Sequence, residues 1–341
     1  MERKVTIEDV AKLAGVSRAT AGRVVGGYGN ASAKITEKVM NAVEQLKYRP
    51  NIAAQSLRGQ STKTIAVILG SIKNNYCNRL IYSVEKEAQK EGYNVIICNT
   101  HEELEQELQH MQNMYSRHVD GIVMMSACKT DDEIEDQYKD LYTGDTPIVF
   151  VDRKIKGLQS SVIQSNNEEI SYQATKYLLR LGHKKIGVLA TEDYSTVNER
   201  IRGYKRALEE NDIEYEPEIV QFANQGGKEE VSVLTERLLL HKSNITAIYI
   251  LNNSLCYGVL MELKKQHLRI REDLSLLAWD DEDLNELLDI TTVVQPIEEI
   301  GKMAIQKLIQ YKKEKKSVEE NEKEVLNAQI VYRNSCKNLN K

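Results

Sequence analysis

The chain has 341 residues, of which 41% are hydrophobic and 28% charged, and this excludes a disordered chain and a single small domain. The longest apolar run, residues 65–69, is far shorter than the ~20 residues of a membrane-spanning helix, and five cysteines at irregular spacing indicate neither a disulfide framework nor a metal or redox site. The net charge of −5 is uneven, because residues 1–60 carry ten Lys or Arg against five Asp or Glu and the remainder carries −10. The cysteine spacing leads us to expect no metal and no cofactor. The basic excess of residues 1–60 predicts a first module that faces nucleic acid, and a chance charge excess on a solvated face is the alternative.

The basic module begins with two short predicted helices. Thr6 and Asp9 have the spacing of a capping box, which predicts a helix over about residues 7–14. Gly15 is expected to end this helix, and Ser17 can cap the next one. Two helices joined by such a short glycine turn indicate a helix-turn-helix.

The rest of the module completes a three-helix unit. The second helix is predicted to run to residue 25, before the glycine-rich segment 26–29. A third helix, capped by Ser32, carries an apolar stripe that closes the small core. The first fifty residues are therefore expected to form a small all-α headpiece.

In a helix-turn-helix the second helix enters the major groove, and its N-terminal residues reach the base edges. Arg23 is predicted to contact guanine O6 and N7, with a phosphate contact as the alternative, and Arg18 suits either a base or a phosphate. Thr6 and Ser32 are expected to present their helix N-termini to the DNA backbone. The predicted DNA contacts of this module are Thr6, Ser17, Arg18, Ala19, Thr20, Arg23 and Ser32.

Two segments, VTIEDVAKLAGVSRATAGRVV at residues 5–25 and LKYRPNIAAQSLRG at residues 46–59, resemble the DNA-binding headpiece and hinge of the LacI/GalR family of bacterial transcription regulators. The resemblance extends over the rest of the chain. It implies a hinge helix that folds on binding and inserts Leu57 into the central base step of the minor groove; a plain linker with Leu57 packed on the body is the alternative. The predicted hinge contacts with DNA are Asn51, Ala54 and Leu57.

From residue 64 onward, short β-branched segments alternate with amphipathic helical segments, which is typical of a parallel, doubly wound α/β sheet. Seven predicted strands each end at a polar residue. Ligands on such sheets bind outside the carboxyl ends of the strands, so these polar residues should converge on a cleft. The predicted strands are 65–69, 121–125, 148–151, 186–190, 247–251, 274–279 and 291–294.

Similar strand openings at residues 63 and 184 suggest two repeated halves, with crossovers near 152–166 and 291–296. This arrangement resembles the periplasmic-binding-protein fold of the family's effector domain, with two parallel doubly wound subdomains. The predicted organisation is a headpiece over 1–50, a hinge and linker over 51–62, and an effector-binding and dimerisation body over 63–341. Within the body, we expect one subdomain at about 63–155 plus 295–325 and the other at about 160–290 plus 326–335.

The family resemblance implies an effector pocket at this cleft. Arg200 stands in the family's Arg-x-x-Gly pattern and offers a forked donor, while Asp280 is the expected acceptor from effector hydroxyls. Trp279 can stack on a ligand ring or belong to the core. The predicted effector-binding residues are Asn74, Tyr76, Ser126, Asp152, Arg153, Arg200, Asn252, Trp279, Asp280 and Gln295.

The charge of the predicted pocket suggests a ligand class. Arg153 and Arg200, with the neutral Asn253, favour an anionic effector such as a sugar acid or sugar phosphate. Alternatively, Arg153 pairs with Asp152 or faces solvent, and the effector is a neutral sugar.

Together these features predict a bacterial repressor of a carbohydrate-catabolism operon that a sugar-type effector releases from a pseudo-palindromic DNA operator. The tail beyond residue 335 is too short for a tetramerising coiled coil, so a homodimer is expected. No signal-peptide segment follows the N-terminus, so we expect a cytoplasmic, nucleoid-associated protein without a membrane partner. A transport-type or sensory sugar-binding protein without DNA regulation is the alternative. An enzyme is disfavoured because common catalytic motifs are missing from the sequence, and His183 is expected to end a helix rather than act as a base.

Overall fold

The chain forms two compact units, Met1–Thr62 and Lys63–Lys341. The computed structural model describes residues 5–26, 31–48, 61–129, 138, 141, 146–155, 158, 160–191, 194–224, 226–241, 244–314 and 323–340. The predicted hinge contacts Asn51, Ala54 and Leu57 lie outside these ranges.

The first unit contains the three predicted helices, α1 (Ile7–Ala14), α2 (Arg18–Val25) and α3 (Ala33–Gln45). Gly15 ends α1 in the left-handed conformation at φ 66°, which glycine adopts without steric cost. Small side chains let the helices pack closely around one apolar core. Its buried residues are Val10, Ala11, Ala14, Ala21, Val39 and Ala42.

The second unit contains two sheets, each with helices on both faces, so the predicted α/β fold class is confirmed. The strands in the described residues are β1 (Thr64–Leu69), β2 (Asn94–Asn99), β3 (Gly121–Met124), β4 (Ile148–Val151), β5 (Ser161–Ser165), β6 (Ile186–Thr191), β7 (Val220–Ala223), β8 (Ala247–Ile250), β9 (Ser275–Trp279), β10 (Thr291–Val294), β11 (Lys323–Leu326) and β12 (Gln329–Val331). The α-helices of this unit, over the same residues, are α4 (Asn75–Lys90), α5 (Leu104–Ser116), α6 (Asn167–Arg180), α7 (Ser195–Glu209), α8 (Lys228–Leu239), α9 (Cys256–Lys265), α10 (Asp283–Leu287) and α11 (Ile297–Glu314).

The two sheets repeat one topology. The first has the order β2-β1-β3-β4-β5-β11 and the second the order β7-β6-β8-β9-β10-β12. All strand pairs are parallel except β10 with β12. Helices α4 and α11 cover one face of the first sheet and α5 the other, while α6 and α7 lie opposite α8 and α9 on the second. The carboxyl ends of equivalent strands therefore carry equivalent loops.

The chain passes between the sheets after β5, after β10 and after β11. The expected start of the second subdomain at about residue 160 is too early, because β5 pairs with β4 in the first sheet. Strands β5 and β10 agree with the crossovers expected near 152–166 and 291–296, whereas β2, β7, β11 and β12 were not predicted. Strand β5 is fully buried although three of the five residues in its sequence, SVIQS, are polar.

His183 has the structural role that the sequence predicts. It follows α6, and its ring nitrogens contact Thr246 Oγ1 and the Lys337 carbonyl oxygen, each at 2.9 Å. Burial lowers the pKa of His183, which keeps the ring neutral while it holds the tail against the second sheet. In the part of the chain that the structure describes, no helix is both long and apolar enough to cross a bilayer.

Gly203 on α7 allows the close approach of α6 and provides a test of this packing. A Cβ at Gly203 would lie 2.1 Å from the Glu168 carbonyl oxygen and 2.8 Å from the Tyr172 amide nitrogen. We expect Gly203→Ala to lower the free energy of unfolding by about 1–3 kcal/mol, since backbone overlap outweighs the helix propensity of alanine, about 1 kcal/mol. Urea unfolding measures this. Gly227→Ala is the control, because no atom lies within 4 Å of its added Cβ; equal effects of the two variants would contradict the packing argument.

Candidate functional site

The start of α1 has the capping box that the sequence predicts. The Asp9 amide donates to Thr6 Oγ1 at 3.4 Å, and the Thr6 amide donates to Asp9 Oδ2 at 2.8 Å. Aspartate therefore replaces the more usual glutamate. Ser32 occupies the N-cap position of α3 with extended backbone, but its side chain makes no capping hydrogen bond, contrary to the prediction.

The start of α2 is fixed by two hydroxyl side chains. The Thr20 amide donates to Ser17 Oγ at 3.1 Å, and the two hydroxyl oxygens lie 2.9 Å apart. This cap holds Arg18 and Ala19 on the exposed first turn of the helix. The predicted base-reading residues are thus presented on a rigid helix start.

The two arginines of α2 have different surroundings. Arg18 Nη1 lies 3.0 Å from Glu8 Oε1 on α1, and both side chains are exposed. Arg23 is exposed on the last turn of α2. An arginine that has a carboxylate partner must exchange it for a phosphate or a base, so Arg23 is the better candidate for guanine recognition.

A second candidate site lies at the carboxyl ends of the strands in the body. Asp152 follows β4 of the first sheet and Asp280 follows β9 of the second, both in the left-handed conformation at φ 62° and 63°. The Asp152 amide donates to the Ile163 carbonyl and the Asp280 amide to the Val293 carbonyl, at 2.9 and 2.8 Å. Equivalent loops of the two halves therefore each present one buried aspartate.

Arg200 on α7 supplies the positive charge between these aspartates. Its Nε donates to Asn167 Oδ1 at 3.0 Å, its Nη1 donates to the Leu251 carbonyl at 2.6 Å, and its guanidinium carbon lies 3.9 Å from the centre of a Trp279 ring. Its charge opposes the rise that burial causes in the pKa of both Asp152 and Asp280. One face of the Trp279 ring is therefore covered by Arg200.

The cleft holds three buried polar atoms that have no hydrogen-bond partner within the described residues, namely Tyr76 OH, Asp152 Oδ1 and Trp279 Nε1. Burial raises the pKa of Tyr76, and the charges of Asp152 and Asp280 raise it further, so these groups share one electrostatic environment. Buried polar atoms of native proteins are almost always hydrogen-bonded, and those that are not require an explanation. An indole donor, a carboxylate acceptor and a phenol that does both match a polyhydroxyl ligand.

Hydrogen bonds across the cleft join the two halves. Asn74, the N-cap of α4, exchanges amide hydrogen bonds of 3.3 and 3.0 Å with Asn253, which also donates to Glu282 Oε1 at 3.0 Å. Gln295 donates to Asp280 Oδ1 at 2.8 Å and accepts from Ser165 Oγ at 2.9 Å. These contacts fix the relative position of the loops that carry the aspartates.

Three of the predicted effector residues make other contacts. Ser126 Oγ donates to the buried Glu107 Oε1 at 2.9 Å, and Asn252 Oδ1 accepts from the Thr191 amide at 2.9 Å. Arg153 Nη2 donates to Glu102 rather than pairing with Asp152 or facing solvent. Tyr76, Asp152, Arg200, Trp279, Asp280 and Gln295 come together as predicted.

Sequence reasoning missed several side chains that complete the cleft. Asn167 orients Arg200 from the first turn of α6, and Glu102 and Tyr194 enclose the Arg153 guanidinium. Glu102 follows β2, for which the sequence indicates no strand, and Tyr194 lies four residues beyond the end of the predicted strand 186–190. The one available signal was Asn167, which lies just after the predicted crossover.

The ionisation of Asp280 provides a test of this electrostatic arrangement. Burial raises the pKa of Asp280 from 3.8 to about 6, so the folded protein holds this proton more tightly than the unfolded chain does, and stability falls as pH rises through that interval. Asn cannot ionise. We therefore expect the stability of Asp280→Asn relative to the natural chain to increase by about 1–2 kcal/mol between pH 5 and pH 7.5, measured by urea unfolding.

Asp212→Asn is the control for this experiment, because Asp212 is exposed and lies outside the cleft. The gain in stability that is expected for Asp280→Asn should be absent from Asp212→Asn, since that change does not touch the cleft. A pH-independent effect of Asp280→Asn would contradict the burial of an ionisable carboxyl at that position.

Comparison with known proteins identifies both units. Residues 6–51 match the family described as bacterial regulatory proteins, lacI family, and residues 175–336 match the periplasmic binding protein-like domain. The HTH-type transcriptional repressor PurR of Vibrio atlanticus is 33% identical over 342 residues, covering 98% of this chain and 99% of the relative. The ribose operon repressor of Haemophilus influenzae is 32% identical over 314 residues, covering 89% and 91%.

The fold is also that of a solved member of the same group. The structure of the lac repressor dimer bound to operator and the anti-inducer ONPF superposes with a TM-score of 0.82 at 23% identity, covering 98% of this chain and 100% of that one. The similarity to relatives extends over almost the whole chain, headpiece and body together. The chain belongs to the LacI family of bacterial transcription regulators.

Proposed function

We propose that this protein is a homodimeric repressor that binds a pseudo-palindromic operator and leaves it when a sugar-type effector enters the cleft. One observation carries the proposal: the same chain has an exposed, capped recognition helix and a body with unpartnered polar atoms buried at the carboxyl ends of its strands. The first is suited to base recognition and the second to a small polar ligand.

The DNA-binding part of the proposal rests on α2. Arg18, Ala19 and Arg23 are exposed on this helix, whose start is fixed by Ser17. A single short helix reaches few base pairs, so specificity requires two half-sites about one helical turn apart and two copies of the chain. The relative whose structure is described as a dimer on its operator supports this arrangement.

The effector part of the proposal rests on the cleft. Asp152 belongs to the first half, and Arg200 and Asp280 belong to the second. A ligand that contacts all three has a different affinity for open and closed arrangements of the halves, and only such a difference can shift the equilibrium between them. The name of the Haemophilus influenzae relative, a ribose operon repressor, favours a carbohydrate effector and a carbohydrate-catabolism operon.

The direct test of DNA recognition is selection of binding sites from random DNA, followed by footprinting and by the variant Arg23→Ala. We expect a protected pseudo-palindrome and, for the variant, a loss of about 1–3 kcal/mol with relaxed discrimination at one base pair in each half-site. Lys38→Ala removes an equal charge from α3 and should leave base discrimination unchanged. An asymmetric single half-site would contradict the dimer, and equal weakening by Arg23→Ala on all sequences would make Arg23 a phosphate contact.

Coupling between the sites is tested with Asp280→Asn and Arg200→Ala. Both changes alter the cleft and leave the headpiece intact, so we expect operator affinity to be retained while the response to effector is lost. In the natural chain the effector should weaken operator binding by a coupling of about 1–3 kcal/mol. Gel shifts with and without ligand measure this, with Asp212→Asn as control. If a cleft variant lost operator affinity but its remaining operator binding still responded to the effector, the effector would bind outside this cleft.

A further inference from the structure

We propose that Glu102 determines the charge preference of the effector cleft: its carboxylate occupies the position beside Arg153 that an anionic ligand would take, so the cleft accepts neutral polyhydroxyl ligands and rejects their acid counterparts. This inference rests on the proposed effector function of the cleft. It replaces the anionic effector that the sequence favoured.

The first observation is how completely Arg153 is enclosed. Arg153 is 5% exposed, and its Nη2 donates to both carboxylate oxygens of Glu102 at 3.1 and 2.8 Å. Its guanidinium carbon lies 4.0 Å from the centre of the Tyr194 ring, and Tyr194 OH donates to Glu102 Oε2 at 3.2 Å. The guanidinium thus has a carboxylate at its edge and an aromatic ring over its face, the two partners that arginine uses to bind anionic and cyclic ligands.

The second observation is that the backbone is shaped to place Glu102 there. His101 and Glu102 are consecutive non-glycine residues in the left-handed conformation, at φ 56° and 62°. Such residues are uncommon, and they persist where surrounding contacts hold them. Gly70, at the end of β1, supplies the space: a Cβ there would lie 1.8 Å from Glu102 Oε1. The carboxylate therefore sits against a surface that any larger residue would fill.

The third observation is the charge that remains once this pair has formed. Among the described residues, Arg200 supplies the one guanidinium besides Arg153 whose charge acts on these carboxyls, while Glu199 adds a negative charge near Asp152 and Glu282 adds one near Asp280. Carboxylates thus outnumber cations around the unpartnered atoms of Tyr76 and Asp152. A hydroxyl can donate to Asp152, whereas a ligand carboxylate or phosphate would be repelled there. Without the Glu102 charge, Arg153 would be free to attract an anion.

The experiment compares matched pairs of ligands on the full-length chain. The probes are ribose, glucose, galactose and cellobiose, each with its aldonic acid, and calorimetric titration gives the dissociation constants. For the natural chain we expect binding of at least one neutral sugar and at least tenfold weaker binding of its acid. In Glu102→Gln, the dissociation constant of the acid divided by that of the neutral sugar should fall at least fivefold. Glu103→Gln, an exposed neighbour, is the control and should keep the natural ratio.

A second variant tests the inference even if Glu102→Gln does not fold. Gly70→Ala retains the Glu102 charge but displaces its carboxylate from Arg153. The dissociation constant of the acid divided by that of the neutral sugar should therefore fall at least threefold. Preference of the natural chain for an acid, failure of every neutral sugar to bind, or an unchanged ratio in the variants would overturn the proposal. Operator binding by the same preparations distinguishes failure of the proposed function from failure of this inference. If the natural chain does not bind the operator, the regulatory function is contradicted. If it binds the operator but the variants keep the natural ratio of dissociation constants, only the role of Glu102 is contradicted.

Discussion

The buried guanidinium of Arg200 is the interaction on which the cleft at the carboxyl ends of the strands depends. Two carboxylates, those of Asp152 and Asp280, are buried near it, and its positive charge opposes, without cancelling, the rise that burial causes in their pKa. Arg200 reaches this position because Gly203, one turn further along α7, lets that helix lie against α6. Asn167 and the Leu251 carbonyl then fix the orientation of the guanidinium. A packing feature of two helices thus sets the electrostatics of the site.

The repeated topology of the two sheets explains why the cleft has one aspartate on each side. Asp152 and Asp280 follow equivalent strands, share the same backbone conformation, and are anchored by equivalent amide hydrogen bonds. Their surroundings have diverged, since Asp280 accepts from Gln295 whereas Asp152 lies beside an arginine that is paired with Glu102. Asp280 is thus already hydrogen-bonded within the protein, whereas Asp152 Oδ1 has no hydrogen-bond partner among the described residues.

The headpiece is organised on a different principle. Its core is small and rich in alanine, and local side-chain hydrogen bonds fix the starts of α1 and α2. Such caps contribute about 1 kcal/mol each, which matters in a unit that can bury little apolar surface. The ion pair between Arg18 and Glu8 connects α1 with α2 at the surface. The caps and this ion pair thus help to position α2 on the surface of the unit.

The features that the sequence determined by itself are those set by residues close together in the chain. The bounds of α1 and α2, the capping role of Thr6 and Ser17, and the polar ends of seven strands all depend on residues within a few positions of each other, so spacing and residue type reveal them. Family resemblance then predicted Arg200 and Asp280 as effector-binding residues. The tertiary structure alone decided that Ser126 turns to Glu107, that β5 joins the first sheet, and that Glu102 and Tyr194 enclose Arg153. These outcomes depend on which distant segments meet, and a buried polar group takes whichever partner the fold brings to it because burial without one is costly.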